Sequence, residues 1–554
     1  MGVSAYPFEL GQVRLTSGRW LDNQNRTLNY LRFVDVERLL YNFRANHRLS
    51  TNGAASNGGW DAPSFPFRTH MQGHFLTTWA QAWAVLGDTG CRDKANRMVA
   101  ELARCQANNS AAGFNPGYLC GFPESDFTAL EARTLSNGNV PYYVIHKTMA
   151  GLLDVWRQIG NNQARDVLLA LAGWVDWRTG RLTASQMQNM LGTEFGGMNA
   201  VLADIYQQTG DARWLTTAQR FDHAAVFNPL AANSDQLNGL HANTQVPKWI
   251  GAAREYKATG TTRYRDIASN AWNITVGAHT YAIGGNSQAE HFRPPNAIAG
   301  YLRQDTCEHC NTCNMLKLTR ELWLLDPNRA AYFDFYERAL LNHIIGAQNP
   351  ADNHGHITYF TPLNPGGRRG VGPAWGGGTW STDYNSFWCC QGTGIEVNTA
   401  LMDSVYWSTG GGDPGATSHR LVNAGTGLVL GIRDMSTADG GLAVQWGDSG
   451  TADHNWVVVT EGSAVKLRNV HSGKVLGVEN MSTANNARVL QWSDNGTADH
   501  LWTLLDQGDG THKIRNVHTG KLLGILDGST AWGAQAVQDP DNGSADNRWR
   551  LVRN

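Results

Sequence analysis

Charge is scarce in this chain. Of its 554 residues 17% are charged, and 45 Lys and Arg stand against 47 Asp and Glu. The resulting net charge of −2 offers no basic field, which argues against nucleic acid as a partner, because phosphate neutralisation needs clustered Lys and Arg. No apolar run approaches the roughly 20 residues that cross a bilayer, so no membrane-spanning helix is expected. The start, Met1-Gly2-Val3-Ser4-Ala5, lacks the basic residues and apolar stretch of a secretory signal. Gly366 to Gly378 is rich in glycine but lacks the Lys and the strand–helix context of a phosphate loop, and reads as a flexible border of an active site. What the chain does have is 61 Gly, 21 Trp and 16 Tyr, a balance that suits aromatic stacking on sugars without being specific to it.

The last third is repetitive. Arg468 to Gly477 returns as Arg515 to Gly524, with a looser copy at Leu421 to Gly431. Gln445-Trp446, Gln491-Trp492 and Gln538-Asp539 recur at intervals of 46 and 47 residues, and Trp456, Trp502 and Trp549 keep the same spacing. Three equal units of short β-type runs punctuated by Gly, Asn and Asp imply one closed threefold domain. Ahead of them, Ser408 to Gly415 reads as a Gly- and Pro-rich linker. The expected division is therefore 1–407, a linker at 408–418, and a β domain at 419–554.

Residues 1–407 read as helical. Apolar residues at spacings of three and four mark Phe75 to Val85, Ala95 to Cys105, Val144 to Ile159, Ala164 to Trp177, Met198 to Thr209, Val246 to Ala258 and Met315 to Leu325. Helices joined by polar loops without strand signals favour an all-α toroid, with any chemistry in the loops.

Five of the eight cysteines are clustered: Cys307, Cys310 and Cys313, then adjacent Cys389 and Cys390. Clustering beside Glu308 and a His is unlike a disulfide framework and suits a metal site, since Zn²⁺ accepts thiolate and carboxylate in one tetrahedral shell. A helix starting near Asn311 or Thr312 would favour thiolates at its N-terminus. Three other readings stay open at this stage: the C-x2-C-x2-C spacing of an iron–sulfur site, a vicinal disulfide at Cys389-Cys390, and buried apolar thiols. Cys91, Cys105 and Cys120 read as structural.

Several stretches together resemble the glycoside hydrolase family 127 and 146 group, the β-L-arabinofuranosidases. They are Glu308 to Arg320, Cys389-Cys390-Gln-Gly-Thr-Gly, Gly285 to Phe292, Leu240 to Lys248, Arg68 to Leu76 and Ile145 to Asp154. The resemblance implies an (α/α)6 barrel with Zn²⁺ held by Glu308, Cys310, Cys389 and Cys390. It implies Cys389 as nucleophile, Glu290 as general acid/base with a pKa raised by partial burial, and His146, His241, Tyr359 and His70 as contacts to sugar hydroxyls, with Arg68 a further candidate. Trp60, Trp375 and Trp388 read either as stacking walls or as core. The C-terminal third resembles the ricin-B-type β-trefoil lectins, which carry Gln-x-Trp once per repeat. Here the Gln position reads His454, His500 and Asn547, and the Asp of the usual Leu-Asp-Val sugar segment is Gly431, Gly477 and Gly524. Relatives often continue from the barrel into β-sandwich domains, whereas this chain passes directly to the trefoil.

The expectation is thus a zinc-dependent, retaining exo-glycosidase that releases β-L-arabinofuranose from plant glycans, secreted, with an oligo- or polysaccharide substrate and a glycan-binding trefoil. A cytoplasmic location, another furanoside or pyranoside as substrate, and a non-catalytic carbohydrate-binding protein stay open alternatives.

Overall fold

The computed structural model describes residues 5–8, 10–370, 379–408, 418–449, 451–461 and 464–553. Trp375 and positions 409–417 of the expected linker lie outside the described residues. The chain divides into two compact units, one of residues 13–323 and 328–403, the other of 404–554 with the described part of 1–12 and 324–327.

In the first unit helices alternate between an inner and an outer ring. The inner six are His70–Leu86, Pro141–Asp154, Met198–Thr209, Ala242–Thr259, His309–Leu325 and Cys389–Thr399; the outer six are Gly18–Phe33, Thr89–Ala107, Asn162–Thr179, Ala212–Gln219, Thr262–Ala278 and Ala331–Ala339. This is an (α/α)6 barrel, and every helix anticipated from apolar spacing is present. Inner helices bury residues all round their circumference, whereas an outer helix such as Thr89–Ala107 buries the single stripe Cys91, Ala95, Met98, Val99, Leu102 and Cys105. The alternation follows from composition: the inner helices carry few charges, so nothing opposes full burial.

Neighbouring inner helices approach closely where glycine allows it. A Cβ on Gly73 would lie 2.0 Å from the Lys147 carbonyl oxygen, and one on Gly151 would lie 2.5 Å from that of Gly73. The helices His70–Leu86 and Pro141–Asp154 therefore meet backbone to backbone, and both project side chains from one end of the barrel. Met71, Phe75, Leu76 and Trp79 are fully buried along the first of them, each removed from water at a gain of about 1.5–3 kcal/mol.

The second unit contains a twelve-stranded sheet of three repeats. The first and last strands of each repeat form a closed six-stranded barrel: Trp549–Arg553 pairs with Ser418–Asn423, which pairs with Asn455–Glu461, and so on around to His512–Asn516. Buried Trp456, Trp502 and Trp549 fill it, and each indole N–H donates to a carbonyl 26 residues earlier, of Leu430, Leu476 and Leu523, at 2.9 Å. The buried Gln445, Gln491 and Gln538 join the repeats in a cycle. Gln491 Nε2, for example, donates to the carbonyls of Ser436 and Ala438 in the preceding repeat at 2.7 and 3.0 Å. The Gln and Trp periodicity is the periodicity of the trefoil core and its inter-repeat ties.

Candidate active site

Loops at one end of the helical barrel pair as short extended segments. Bridges join Gln288 to Thr306, Glu308 to Phe360, and His241 to His291. No strand pattern in the sequence marks them, because each is an isolated bridge of one residue pair. Ser287, Ala289, Glu290 and Cys307 all have positive φ without being glycine, a strained backbone of the kind that persists at functional sites. Glu290 is itself one of these residues, and Glu308 directly follows another, Cys307.

The Tyr359 hydroxyl donates to Glu290 Oε1 and lies 3.4 Å from Cys389 Sγ. His241 Nε2 lies 3.6 Å from Glu290 Oε2. At its other nitrogen the ring caps the Ala242–Thr259 helix, since Nδ1 accepts the Thr244 backbone N–H at 3.2 Å. That N–H fixes the remaining proton of a neutral ring on Nε2, facing Glu290. Burial works against a charge on His241, but Glu290 and Glu194 outweigh it. In either form a proton points at the carboxylate.

Burial pushes the Glu290 carboxyl up, yet the bonds from His241 and Tyr359 prevail and leave it below the ordinary range. The raised pKa expected from partial burial is therefore corrected. Two donors aimed at a carboxylate stabilise its charge by more than incomplete desolvation costs.

Beside this pair, Glu308, Cys310, Cys389 and Cys390 are all buried, and their ligating atoms lie within 4.8 Å of one another. Cys389 Sγ is 3.7 Å from Glu308 Oε1 and 3.9 Å from Cys390 Sγ, and the Cys310 backbone N–H donates to Cys390 Sγ at 3.3 Å. The helix carrying Cys310 starts at His309, two or three residues earlier than anticipated. The 3.9 Å separation rules out a vicinal disulfide, whose sulfurs stand about 2 Å apart. Cys307 and Cys313 do not join the group, so the triple spacing does not converge as an iron–sulfur site would. Burial pushes the Glu308 carboxyl and the Cys389 and Cys390 thiols well up, and Glu308 Oε2 has no hydrogen-bond partner among the described residues. Four buried acids with an unpartnered carboxylate oxygen ionise together only against a cation, so the donor set fits a metal ion.

The quartet is held from behind. Glu396, on the helix that begins with Cys389, accepts from His74 Nδ1 at 2.5 Å and from Lys317 Nζ at 2.7 Å. Gly392 permits this docking, because a Cβ there would lie 2.2 Å from the His74 ring.

His70 and His146 are less directly placed. Burial pushes His70 down to about 3 and lowers His146, so both rings are neutral. His70 Nε2 and His146 Nδ1 have no partner among the described residues, and neither ring bonds to Glu290 or Cys389. His146 packs on Gly196 and Gly197. Arg68 is committed to the Gly121 and Phe65 carbonyls. Trp60 stands 6.3 Å from Tyr359 and Trp388 6.0 Å, both edge-on, so they support that ring.

Two neighbours were missed from sequence. Tyr143 is buried with an unpartnered hydroxyl within the field of Cys389 and Cys310, and Glu194 acts on His241, Glu308 and Tyr143. Tyr143 precedes His146 by three positions on one helix, so it shares its face, which was the available signal. Glu194 sits on an irregular turn and carried none.

The trefoil contains a cavity of about 460 Å³ lined by Trp492, Glu479, Asn480, Asn495, Asp499 and His500. Gly477 leaves the space occupied by the His500 ring, since a Cβ there would lie 2.4 Å from it and 3.2 Å from Asp499 Oδ2. Asp499 thus brings a carboxylate close to where the Leu-Asp-Val segment would supply one.

A family model described as the family 127 catalytic domain of β-L-arabinofuranosidase matches residues 12–403, and a ricin-type β-trefoil lectin-like model matches 404–492, 452–539 and 498–554. No curated protein matches the chain. A solved family 127 β-arabinofuranosidase is similar at a TM-score of 0.55 and 14% identity, over 100% of this chain and 98% of its own. A family 127 β-L-arabinofuranosidase from Geobacillus stearothermophilus T6 is similar at 0.53 and 14%, over 93% and 86%. At this identity the likeness is one of fold. The match over 12–403 establishes that the chain belongs to glycoside hydrolase family 127, as a glycoside hydrolase with a C-terminal ricin-type lectin domain.

Proposed function

We propose that this chain is a retaining exo-β-L-arabinofuranosidase in which Cys389 is the nucleophile, Glu290 the acid/base, and Glu308, Cys310, Cys389 and Cys390 hold Zn²⁺. The observation that carries the reading is the Tyr359 hydroxyl, which touches both Cys389 Sγ and Glu290. One hydroxyl between the two groups gives a separation of the order of the ~5 Å at which retaining glycosidases set nucleophile and acid/base. Bound to the quartet, Zn²⁺ would replace the thiol protons, leaving Cys389 a thiolate at neutral pH.

Cys389 Sγ attacks the anomeric carbon as Glu290 gives its proton to the glycosidic oxygen, and the aglycone leaves as an alcohol. Glu290, now a carboxylate, takes a proton from water; the hydroxide displaces Cys389 and frees the sugar with retained configuration. The His241 and Tyr359 bonds favour the carboxylate required in the second half. The first half draws on the protonated fraction of Glu290, which the same bonds keep small at neutral pH. His70 Nε2, His146 Nδ1 and the Tyr143 hydroxyl are polar atoms without partners among the described residues, each costing about 1–3 kcal/mol until a sugar hydroxyl meets it.

Release of p-nitrophenol from its β-L-arabinofuranoside, with zinc content, tests the reading. The wild type is expected to turn over with zinc bound, and Cys389→Ser and Glu290→Gln to lose turnover. Zinc with activity on another furanoside or pyranoside alone would overturn the sugar. Activity unaffected by Glu290→Gln would overturn the mechanism, whereas a zinc-loaded wild type that turns over no glycoside would favour the second reading, a carbohydrate-binding protein, for which the trefoil cavity speaks.

A further inference from the structure

A second cluster of ligand-type side chains lies apart from the cysteines. His354 Nδ1 is 2.8 Å and His356 Nε2 is 3.1 Å from the same atom, Asp383 Oδ1. The ligating atoms of the three residues lie within 4.8 Å of one another, and all three are half-buried. His356 Nδ1 in turn bonds to the Asp352 carboxylate, whose other oxygen accepts the His354 backbone N–H at 2.7 Å.

Two imidazole nitrogens from one loop converge on a single carboxylate oxygen from another, and all three are atoms that ligate a divalent cation. The contact of His356 Nδ1 with Asp352 leaves Nε2 as the nitrogen turned to that oxygen. We propose that His354 Nδ1, His356 Nε2 and Asp383 form a second divalent-metal site of the zinc class.

Two imidazoles and a carboxylate suit Zn²⁺ or its neighbours rather than Ca²⁺ or Mg²⁺, which take oxygen ligands. Ligands about 2 Å from a tetrahedral ion stand roughly 3.3 Å apart, close to the two spacings here. Asp352 supplies the carboxylate behind a ligating histidine that orients the ring and fixes its tautomer. The His354 ring is steadied by Phe33, 4.6 Å away centroid to centroid. A water in the fourth position would complete a tetrahedral shell. The site ties residues 352–356 to Asp383, six positions before Cys389, and Tyr30 fastens the same segment by donating to the Asp383 carbonyl at 2.7 Å. Its role is to pin the approach to the helix that begins with Cys389.

The two sites differ in ligand chemistry, so cobalt separates them. Full-length protein stripped with a chelator is titrated with Co²⁺ while absorption and heat are recorded. Two equivalents are expected, one with a thiolate-to-cobalt charge-transfer band and one without. His356→Asn and Asp383→Asn should each remove the equivalent without the band and keep the other. Asp352→Asn, which leaves the ligands in place, should weaken that equivalent about 10–100-fold. A single equivalent carrying the thiolate band in the wild type, or two undiminished equivalents in His356→Asn and Asp383→Asn, would overturn the proposal. Loss of the thiolate band instead bears on the cysteine quartet alone.

Discussion

Nε2 of His241 stands 3.6 Å from Oε2 of Glu290. It is one of the two donors that hold this carboxyl below its usual range against burial. Asn is also a good helix cap, so His241→Asn keeps the bond to the Thr244 N–H while removing the contact to Glu290. The Glu290 pKa should then rise. Glycosylation needs Glu290 protonated, so kcat/KM falls as pH rises through that pKa, and its high-pH limb should move upward in the variant. The pH profile of kcat/KM measures this, and an unchanged Tm shows that the cap survived.

Tyr359 contributes the other donor and also lies against Cys389. Tyr359→Phe removes only the hydroxyl. A loss of about 10²-fold in kcat/KM is expected, the size associated with one group that positions a proton or charge at the reacting centre. Zinc content should stay at the wild-type value, because Tyr359 is no member of the quartet. A variant that loses metal along with activity would show that the hydroxyl acts on the quartet.

The helices were legible in sequence because each buries apolar residues at helical spacing over ten or more positions, and the trefoil because its Gln and Trp recur at core positions. Clustering pointed to a metal site, since thiols beside a Glu are rare enough to mean something, but the choice of Glu308, Cys310, Cys389 and Cys390 over Cys307 and Cys313 came from the family resemblance. Three kinds of residue were not. Tyr143 hides among other buried aromatics of its helix, Glu194 lies on an irregular turn, and the pairing of 287–291 with 305–308 is too short for a strand pattern. The sign of the Glu290 shift also escaped, because it depends on two donors 49 residues upstream and 69 downstream that only the fold brings together. His354 and His356 carry no signal of their own, because Asp383, 27 residues after His356, meets them only in the fold.

Away from the site, Glu255 is fully buried, with Asn199 Nδ2 at 3.5 Å from Oε2 and no partner for Oε1 among the described residues. Burial and then the neighbouring Asp222 push its carboxyl well up. The folded chain therefore keeps protons that the unfolded chain releases at ordinary carboxyl pKa values. The stability tied to them is full below that range and is lost as pH rises through the raised values. Glu255→Gln removes the titration, so its urea midpoint should fall less between pH 5 and about 9 than that of the wild type. At the alkaline end the variant should be the more stable by about 1–3 kcal/mol.

The trefoil repeats are unequal in ways that predict where glycan binds. The first and second each pair an exposed Trp446 or Trp492 with a buried Asp453 or Asp499 whose Oδ1 has no partner among the described residues, but Trp446 packs on Trp532 at 5.7 Å between centroids, whereas Trp492 and Asp499 line one cavity. The third has Asp539 and Asn547 where the second has Trp492 and His500. A ring face opposite an unpartnered carboxylate offers stacking together with a hydroxyl acceptor, and loss of the stacking is worth about 0.5–1.5 kcal/mol. Trp492→Ala should therefore weaken retention of the full chain on arabinan or xylan up to about tenfold, Asp499→Asn should weaken it as well, and Asp539→Asn should leave it unchanged. All three should be measured in the Glu290→Gln background, so that hydrolysis does not consume the support. Equal retention by Trp492→Ala and the parent would remove this cavity from glycan binding and leave the trefoil a structural module.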